Sequence, residues 1–289
     1  MKKKVSIIIP TYKRSDMLER AIESCLKQTY DNIEIIVIDD NNPGTDFRMQ
    51  TEMFMEKYKD NDKIKYFKME RNGGGAAARN YGIKKSKGTY IAFLDDDDEF
   101  LPDKIKLQLK FMIKHNLDAS FSNKLVYGEN NKLLFKKTYE DFDRNRILPY
   151  HLTKLIVGTQ TFMYKKKVLE EINGFDIVPA GQEFVLMYKT IIKGYKVDYL
   201  NASLVKIYIH QGDRISTGKK KMDGERLLYS TKKKHFNLLT TMEKKEVKFT
   251  WRINLFRIYR RSKSYKYLIV LFIIIILHPY RFYRTFILK

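Results

Sequence analysis

The sequence contains little cysteine, which forms cross-links, and little proline, which interrupts helices and strands. A single cysteine, Cys25, rules out an intramolecular disulfide framework and fits a reducing compartment. Only 6 prolines and no low-complexity tract accompany a hydrophobic content of 44%, so broad disorder is not expected. The apolar stretch after the basic start, Val5 to Ile9, is too short for a secretory signal. We therefore expect a globular protein of the cytoplasm.

Long apolar segments are also scarce. The longest, "YLIVLFIIIIL" at residues 267–277, covers about 16 Å as a helix, against a hydrocarbon core of about 30 Å. It is too short to span a membrane alone, and basic residues flank it on both sides. We predict that residues 216–289 form a basic, aromatic, helical region lying in or dipping into the cytoplasmic leaflet of the cell membrane, with anionic lipid as counter-charge. The alternative is an ordinary helix buried against the rest of the protein.

The net charge of +22 is concentrated in that region. Residues 216–289 hold 19 Lys and Arg against 4 Asp and Glu, a net charge of +15, and the first 215 residues carry the remaining +7. A nucleic-acid-binding protein, whose binding to DNA or RNA would depend strongly on salt, is the first class that such a charge suggests. We disfavour that class because the charge lies beside the apolar segment.

Apolar runs and amphipathic stretches alternate over the first 100 residues. "KVSIIIP" and "IEIIVIDD" are near-continuous apolar runs, which are typical of parallel strands buried on both faces. Helical spacing in "RSDMLERAIESCLKQTY" separates them, and a second unit of the same kind ends in "TYIAFLDDDD". This order predicts an α/β fold with a doubly wound sheet, in which ligands gather outside the carboxyl ends of the strands.

Acidic clusters end two of these predicted strands. Asp39 and Asp40 end one, and Asp95 to Asp98 end the other, so both clusters should face the same crevice. Two like charges about 4 Å apart repel by roughly 4 kcal/mol at an effective dielectric of about 20. Four consecutive aspartates therefore indicate either a solvated acidic loop or a site that holds a positive partner.

Four blocks of sequence resemble a known family. They are "VSIIIPTYKR" with "VIDDNN" downstream, "NGGGAAARNYGIKKSKGTYIAFLDDDD", "GFD" with "GQEFVLMYK", and "HQGDRIS". In this order they resemble the family 2 glycosyltransferases of the GT-A fold, over roughly residues 4–215. The resemblance implies a GT-A domain over residues 1–215, with a nucleotide-binding half at 1–100 and an acceptor half at 101–215, followed by the basic region at 216–289.

The resemblance also implies an activity. We expect inverting transfer of a sugar from a nucleotide-sugar, with a UDP-sugar as the expected donor, to a glycan acceptor in cell-surface polysaccharide synthesis. A lipid-linked acceptor would suit the predicted membrane region. The expected cofactor is Mn²⁺ or Mg²⁺, because these ions take oxygen ligands and can neutralise the leaving diphosphate.

The resemblance assigns roles to individual residues. Asp95 and Asp97 match the family's Asp-x-Asp pair, with Asp97 as the direct metal ligand, although four consecutive aspartates leave the register open by one residue. Asp40 matches the acid that hydrogen-bonds the base, and Glu183 is the expected general base toward the acceptor hydroxyl. Nucleotide-sugar contacts are expected from Pro10, Thr11, Tyr12, Asp40, Arg79, Asp95, Asp96 and Arg214, and metal contacts from Asp97, Asp95 and His210.

Some of these motifs have a simpler interpretation. Residues 39–42 would also form a turn that caps the following helix. Residues 73–78 resemble a dinucleotide fingerprint, but they lie in the second half of the predicted sheet, and we expect their glycines to let the backbone pass close to the donor. Gln182 replaces the first acid of the family's usual acidic pair. A membrane adaptor that kept the fold and lost turnover therefore remains the rival to an enzyme.

Overall fold

The structure is a computed structural model that describes residues 2–128, 131–139, 141–209 and 218–286. Its contacts divide the chain into two compact units. The first unit combines Met1–Asn145, Ile156–Ile177 and Val185–Gln211, and the second combines Arg146–Leu155, Val178–Phe184 and Gly212–Lys289. Each unit is thus assembled from segments that are distant in sequence.

The first unit is built on a mixed sheet that has nine strands within the described residues. The strands are β1 (Val5–Thr11), β2 (Ile33–Asp39), β3 (Ile64–Lys68), β4 (Tyr90–Phe93), β5 (Glu99–Phe100), β6 (Ala119–Tyr127), β7 (Leu133–Lys137), β8 (Met163–Lys165) and β9 (Val197–Tyr208). Their order is β3-β2-β1-β4-β8-β6-β9-β5, with β7 paired to β6. The first four strands in this order are parallel, whereas β8 is antiparallel to both of its neighbours. The predicted α/β class is confirmed.

Helices cover both faces of the parallel strands. They are α1 (Ser15–Leu26), α2 (Asp46–Met55), α3 (Gly74–Lys85), α4 (Lys104–Lys114) and α6 (Lys166–Glu171), and α7 (Gln182–Ile192) begins in the second unit and continues in the first. On one face Ile7 shares a core with Leu18 and Cys25 of α1. On the other, Ile8 lies so close to Gly82 of α3 that a Cβ added there would come within 2.5 Å. Cys25 is a buried core residue, and burial raises the pKa of its thiol to about 12.

The second unit is helical. Its helices are α5 (Ile147–Lys154), α8 (Gly218–Lys233), α9 (Thr241–Arg261), α10 (Lys266–Leu277) and α11 (Pro279–Phe286). Ile274 of α10 joins Phe249, Ile253 and Phe256 of α9 in a small core. The helical character predicted for residues 216–289 is confirmed over the described residues 218–286. Over the part of the chain that the structure describes, no helix is long and apolar enough to cross a membrane.

Candidate active site

Three neighbouring strands bring predicted site residues to one edge of the sheet. β2, β1 and β4 lie side by side and parallel, so the residues at their carboxyl ends are close together. Thr11 ends β1, Asp39 ends β2, and the acidic run follows β4. The backbone N–H of Tyr12 donates to Asp96 Oδ2 at 3.4 Å, which joins the end of β1 to the acidic run.

The four aspartates alternate between buried and partly exposed. Asp96 and Asp98 are 6% and 2% exposed, whereas the side chains of Asp95 and Asp97 keep 29% and 16% of their surface exposed. Asp95 and Asp97 are thus the two whose carboxylate oxygens are more accessible to a ligand. Their spacing is that of an Asp-x-Asp pair.

Two arginines, one just before α1 and one within it, donate to Asp97. Arg14, at the N-terminal boundary of the helix, donates to the Asp97 carboxylate and lies 3.5 Å from Asp96 Oδ1. Arg20 donates to the Asp97 backbone carbonyl, and its guanidinium lies 3.8 Å from the centroid of the Tyr208 ring. The sequence analysis missed both arginines. The sequence feature that could have pointed to them is the run of four aspartates, because their mutual repulsion requires cations near the end of β4.

Arg79 and Gln160 hold Asp95. Arg79 Nη2 donates to Asp95 Oδ1 at 2.5 Å, and Gln160 Nε2 donates to Asp95 Oδ2 at 3.0 Å. The Gln160 amide also lies 2.5 Å from Asp98 Oδ2, to which it donates. Arg79, predicted to approach the nucleotide, therefore lies beside one of the two accessible carboxylates. Gln160 was not identified from the sequence.

The two buried carboxyl groups resist ionisation. Burial, with a smaller contribution from the neighbouring Asp97 carboxylate, raises the pKa of Asp96 to about 7, and Arg14 opposes part of the shift. Burial also raises the pKa of Asp98 well above its usual value, and its hydrogen bond from Gln160 opposes this. Near neutral pH the run therefore carries less negative charge than four ionised aspartates would give.

The two acids at the end of β2 have different partners. Asp39 is buried, with Arg48 Nε 3.1 Å from its Oδ2. Asp40 accepts hydrogen bonds from the backbone N–H groups of Gly73 at 2.7 Å and Gly74 at 2.8 Å. Gly74 has a φ of +80°, which glycine adopts without strain. Asp40 thus binds the start of α3, and the expected contact between Asp40 and a base stays a prediction.

A pocket of about 410 Å³ opens beside these acids, between the end of β1 and the start of α2. Lys13 Nζ lies 5.2 Å from the ring centroid of Tyr12 and 5.0 Å from that of Phe47. Lys13 has a φ of +59°, which is uncommon for a non-glycine residue, and its N–H donates to Asn41 Oδ1 at 3.0 Å. Aromatic faces beside a cation suit a nucleotide, whose base stacks and whose phosphates are anionic.

Glu183 lies in the second unit, in the first turn of α7, where the positive end of the helix favours a carboxylate. The next residue, Phe184, stacks on His151 of α5, with ring centroids 4.4 Å apart. His151 Nε2 lies 3.0 Å from the Phe184 carbonyl oxygen, and Lys232 Nζ lies 5.5 Å from the centroid of the Phe184 ring. Burial lowers the pKa of His151 to about 3, so the imidazole is neutral and Nε2–H donates to that carbonyl. His151 and Lys232 were not identified from the sequence.

Two predicted contacts, His210 and Arg214, lie outside the described residues. Within the described ranges no group of three or more His, Cys, Asp and Glu side chains is arranged to hold a metal ion. The carboxylate oxygens of Asp95 and Asp97 are nevertheless donors of the kind that Mn²⁺ and Mg²⁺ prefer, and they are the accessible members of the run. These two residues therefore fit a divalent ion in donor chemistry.

The sequence profile of "Glycosyl transferase family 2" matches residues 6–173, which is more than half of the chain. The chain belongs to glycosyl transferase family 2. An uncharacterized glycosyltransferase of Rickettsia typhi is 31% identical over 232 residues, which are 78% of this chain and 70% of that protein. TuaG of Bacillus subtilis, whose name places it in teichuronic acid biosynthesis, is 32% identical over 165 residues, 54% of this chain and 63% of TuaG.

Some relatives of this family 2 glycosyltransferase are much longer. An uncharacterized glycosyltransferase of Rickettsia felis is 34% identical over 209 residues, 72% of this chain but 33% of the relative. The chain thus spans about a third of that protein's length.

Solved structures of other transferases share the fold. TarS of S. aureus in complex with UDP-GlcNAc superimposes with a TM-score of 0.63 at 19% identity, covering 89% of this chain and 81% of TarS. The mannosyltransferase PcManGT of Pyrobaculum calidifontis in complex with GDP-Man and Mn²⁺ gives a TM-score of 0.63 at 16% identity, covering 99% of this chain and 83% of PcManGT. The GT-A fold expected from the sequence is confirmed.

Proposed function

We propose that this family 2 enzyme is a metal-dependent, inverting glycosyltransferase that moves a sugar from a nucleotide-sugar, with a UDP-sugar as the expected donor, to a glycan acceptor. One observation carries the proposal: Asp95 and Asp97 are the accessible members of an otherwise buried acidic run at the carboxyl edge of the sheet. TarS and PcManGT, whose structures contain UDP-GlcNAc and GDP-Man, support the proposal because this chain shares their fold.

Asp95 and Asp97 would hold a Mn²⁺ or Mg²⁺ ion. When bound, the ion would neutralise charge on the leaving diphosphate. Arg79 donates to Asp95 and would share that task, because a guanidinium pairs well with phosphate oxygens. Arg14 and Arg20 fix Asp97 through its carboxylate and its carbonyl. Two of the expected contacts, His210 and Arg214, remain predictions.

The nucleoside would lie at the ends of β1 and β2. Pro10 and Thr11 end β1, and Tyr12 lines the pocket together with Lys13 and Phe47. An aromatic ring at Tyr12 offers a stacking face to the base. Asp40 would hydrogen-bond the base, and its carboxylate also holds the loop at Gly73 and Gly74. Asp96 is buried and accepts a hydrogen bond from the Tyr12 N–H, so it would hold the Tyr12 backbone in position beside the nucleotide.

The transfer itself would be a single displacement. The acceptor hydroxyl oxygen forms a bond to the anomeric carbon while the bond from that carbon to the diphosphate oxygen breaks, which inverts the configuration. Glu183 takes the proton of the hydroxyl, and the nucleoside diphosphate leaves with the electron pair. Glu183 is partly exposed, so its carboxylate is accessible for this role.

The acceptor is proposed to be a lipid-linked glycan at the cytoplasmic leaflet of the cell membrane, in the synthesis of a surface polysaccharide. The similarity to TuaG supports a polysaccharide acceptor. The charge of +15 on residues 216–289 supports a location at an anionic surface, because basic residues next to an apolar segment are attracted to anionic lipid.

Thermal unfolding with nucleotide-sugars tests the donor site. The protein is heated with UDP-, GDP-, dTDP- or CMP-sugars, each with and without Mn²⁺. A ligand at about 100 times its dissociation constant stabilises a fold by roughly 2.7 kcal/mol, which is a measurable shift. We expect a metal-dependent shift with one nucleotide class and its loss in Asp97→Ala.

The matched control is Asp31→Ala, which removes an exposed carboxylate whose partner is Lys2. It should keep the full shift. A protein that responds to none of the four nucleotides, although it unfolds cooperatively, would instead be the membrane adaptor that lost turnover. A shift that survives in Asp97→Ala would exclude the assigned metal ligand.

A further inference from the structure

The helix α10 exposes most of its apolar side chains. Only Ile274 is fully buried, in the small core that α10 forms with α9. The exposed set is 37–65% accessible and comprises Leu268, Ile269, Phe272, Ile273, Ile275, Ile276 and Leu277. A continuous apolar surface of this kind usually marks a docking site, because leaving it in water is costly. We call this set the α10 face.

The sequence on both sides of the α10 face is rich in cations. No Asp or Glu follows Glu246 in this sequence, whereas ten Lys and Arg do: Lys248, Arg252, Arg257, Arg260, Arg261, Lys263, Lys266, Arg281, Arg284 and Lys289. Those at positions 257, 260, 261, 263 and 266 are exposed. Tyr265, Tyr280 and Tyr283, which flank α10 on both sides, are 72%, 70% and 50% exposed. Exposed tyrosines beside an apolar segment suit the headgroup layer of a bilayer.

We propose that the α10 face docks on a membrane surface rich in anionic lipid, with α10 lying in the plane of the interface. The helix has 12 residues, or about 18 Å, which is short of the ~30 Å needed to cross the hydrocarbon core. In the sequence, cations occur both before and after it, and an in-plane helix would not carry either group across the bilayer. This inference does not depend on which sugar is transferred, because it concerns only the lipid surface on which the enzyme docks.

Charge decides between lipid and a second copy of this chain. Pairing two α10 faces would bring together two sets of the exposed basic residues at 257, 260, 261, 263 and 266, and the preceding acid, Glu246, already pairs with Arg281. Such like-charge contacts oppose association. Anionic lipid instead attracts each Lys or Arg near the surface, which favours association. The same lipid surface covers the apolar side chains.

Vesicle sedimentation with the full chain tests the proposal. The probes are vesicles of phosphatidylcholine alone and of phosphatidylcholine mixed with phosphatidylglycerol. The test variant is Phe272→Asp with Ile276→Asp, two positions that are 65% and 58% exposed, so the fold should tolerate both changes. The control is Met53→Asp on α2, which places one such carboxylate at an apolar position that is 75% exposed.

We expect the wild type and Met53→Asp to sediment with the mixed vesicles, to bind neutral vesicles more weakly, and to lose affinity as salt is added. The double variant should bind at least about tenfold less, since two carboxylates enter the interface. A second variant, Arg257→Gln with Lys263→Gln, should weaken binding to the anionic vesicles only. Its exposed positions leave the core intact.

Three results would overturn the proposal. They are equal binding by the double variant, absence of binding by the wild type, and a wild-type dimer that dissociates in the double variant. The last would identify a second copy as the occupant. The nucleotide-sugar thermal shift of the double variant should equal that of the wild type. Failure of docking and failure of the donor site are thereby told apart.

Discussion

Two isoleucine-rich segments of this protein have opposite environments. Ile7, Ile8 and Ile9 of β1 have no exposed surface, whereas three of the four isoleucines at residues 273–276 of α10 are 37–58% exposed. Both segments are almost uniformly apolar, so composition does not explain the difference. β1 has a strand on each side and helices over both faces, while α10 packs chiefly on α9. Neighbours, not residue type, decide which apolar run is covered.

Each unit also contains a buried ionisable group whose pKa is shifted. Burial raises the pKa of Asp96 in the first unit to about 7 and lowers the pKa of His151 in the second unit to about 3. Both shifts favour the neutral form, because a charge is poorly solvated inside a protein. A carboxyl group is neutral when it is protonated, whereas an imidazole is neutral when it is deprotonated. The two groups therefore make the free energy of unfolding depend on pH in opposite directions.

The largest effect should come from truncating a covered isoleucine. Ile8→Ala leaves a cavity between β1 and α3 and should cost about 2–5 kcal/mol of unfolding free energy. Ile276→Ala, at a position 58% exposed, should change it by less than about 0.5 kcal/mol. Urea unfolding of both variants measures the difference. Similar losses at the two positions would mean that something covers the α10 face in solution.

The sequence predicted the parallel half of the sheet because its signals are local. The apolar runs at β1 and β2 and the helical spacing in α1 are short-range patterns. The exposure of alternate aspartates was not predictable, since it depends on how the chain turns after β4. Nor were the contacts of Arg14 with Asp97 and of His151 with Phe184, because they join residues 83 and 33 positions apart. Such contacts require the tertiary fold.

The next effect in size is loss of stability in acid through His151. Between pH 6.5 and about 3 the unfolded chain binds a proton at this imidazole and the folded protein does not, so stability falls as pH falls. The loss from this group should reach about 2 kcal/mol at pH 5, at about 1.4 kcal/mol per pH unit. His151→Gln should remove that pH dependence, even if it lowers stability at pH 8. An unchanged slope between pH 7 and pH 5 would show that His151 is not buried as a neutral group.

An effect of opposite sign is expected from Asp96. Between pH 3.8 and about 7 the folded protein holds a proton on this carboxyl and the unfolded chain does not, so stability falls as pH rises and the penalty is complete above pH 7. Asp96→Asn keeps the shape and removes the charge, so it should stabilise the ligand-free protein by up to about 4 kcal/mol at pH 8 and by less at pH 5, at about 1.4 kcal/mol per pH unit. Thermal unfolding at the two pH values measures this, with Asp31→Asn as the exposed control. If Asp96→Asn destabilises the protein at pH 8, the ionised carboxylate must be held by its cationic neighbour Arg14 more strongly than burial opposes it.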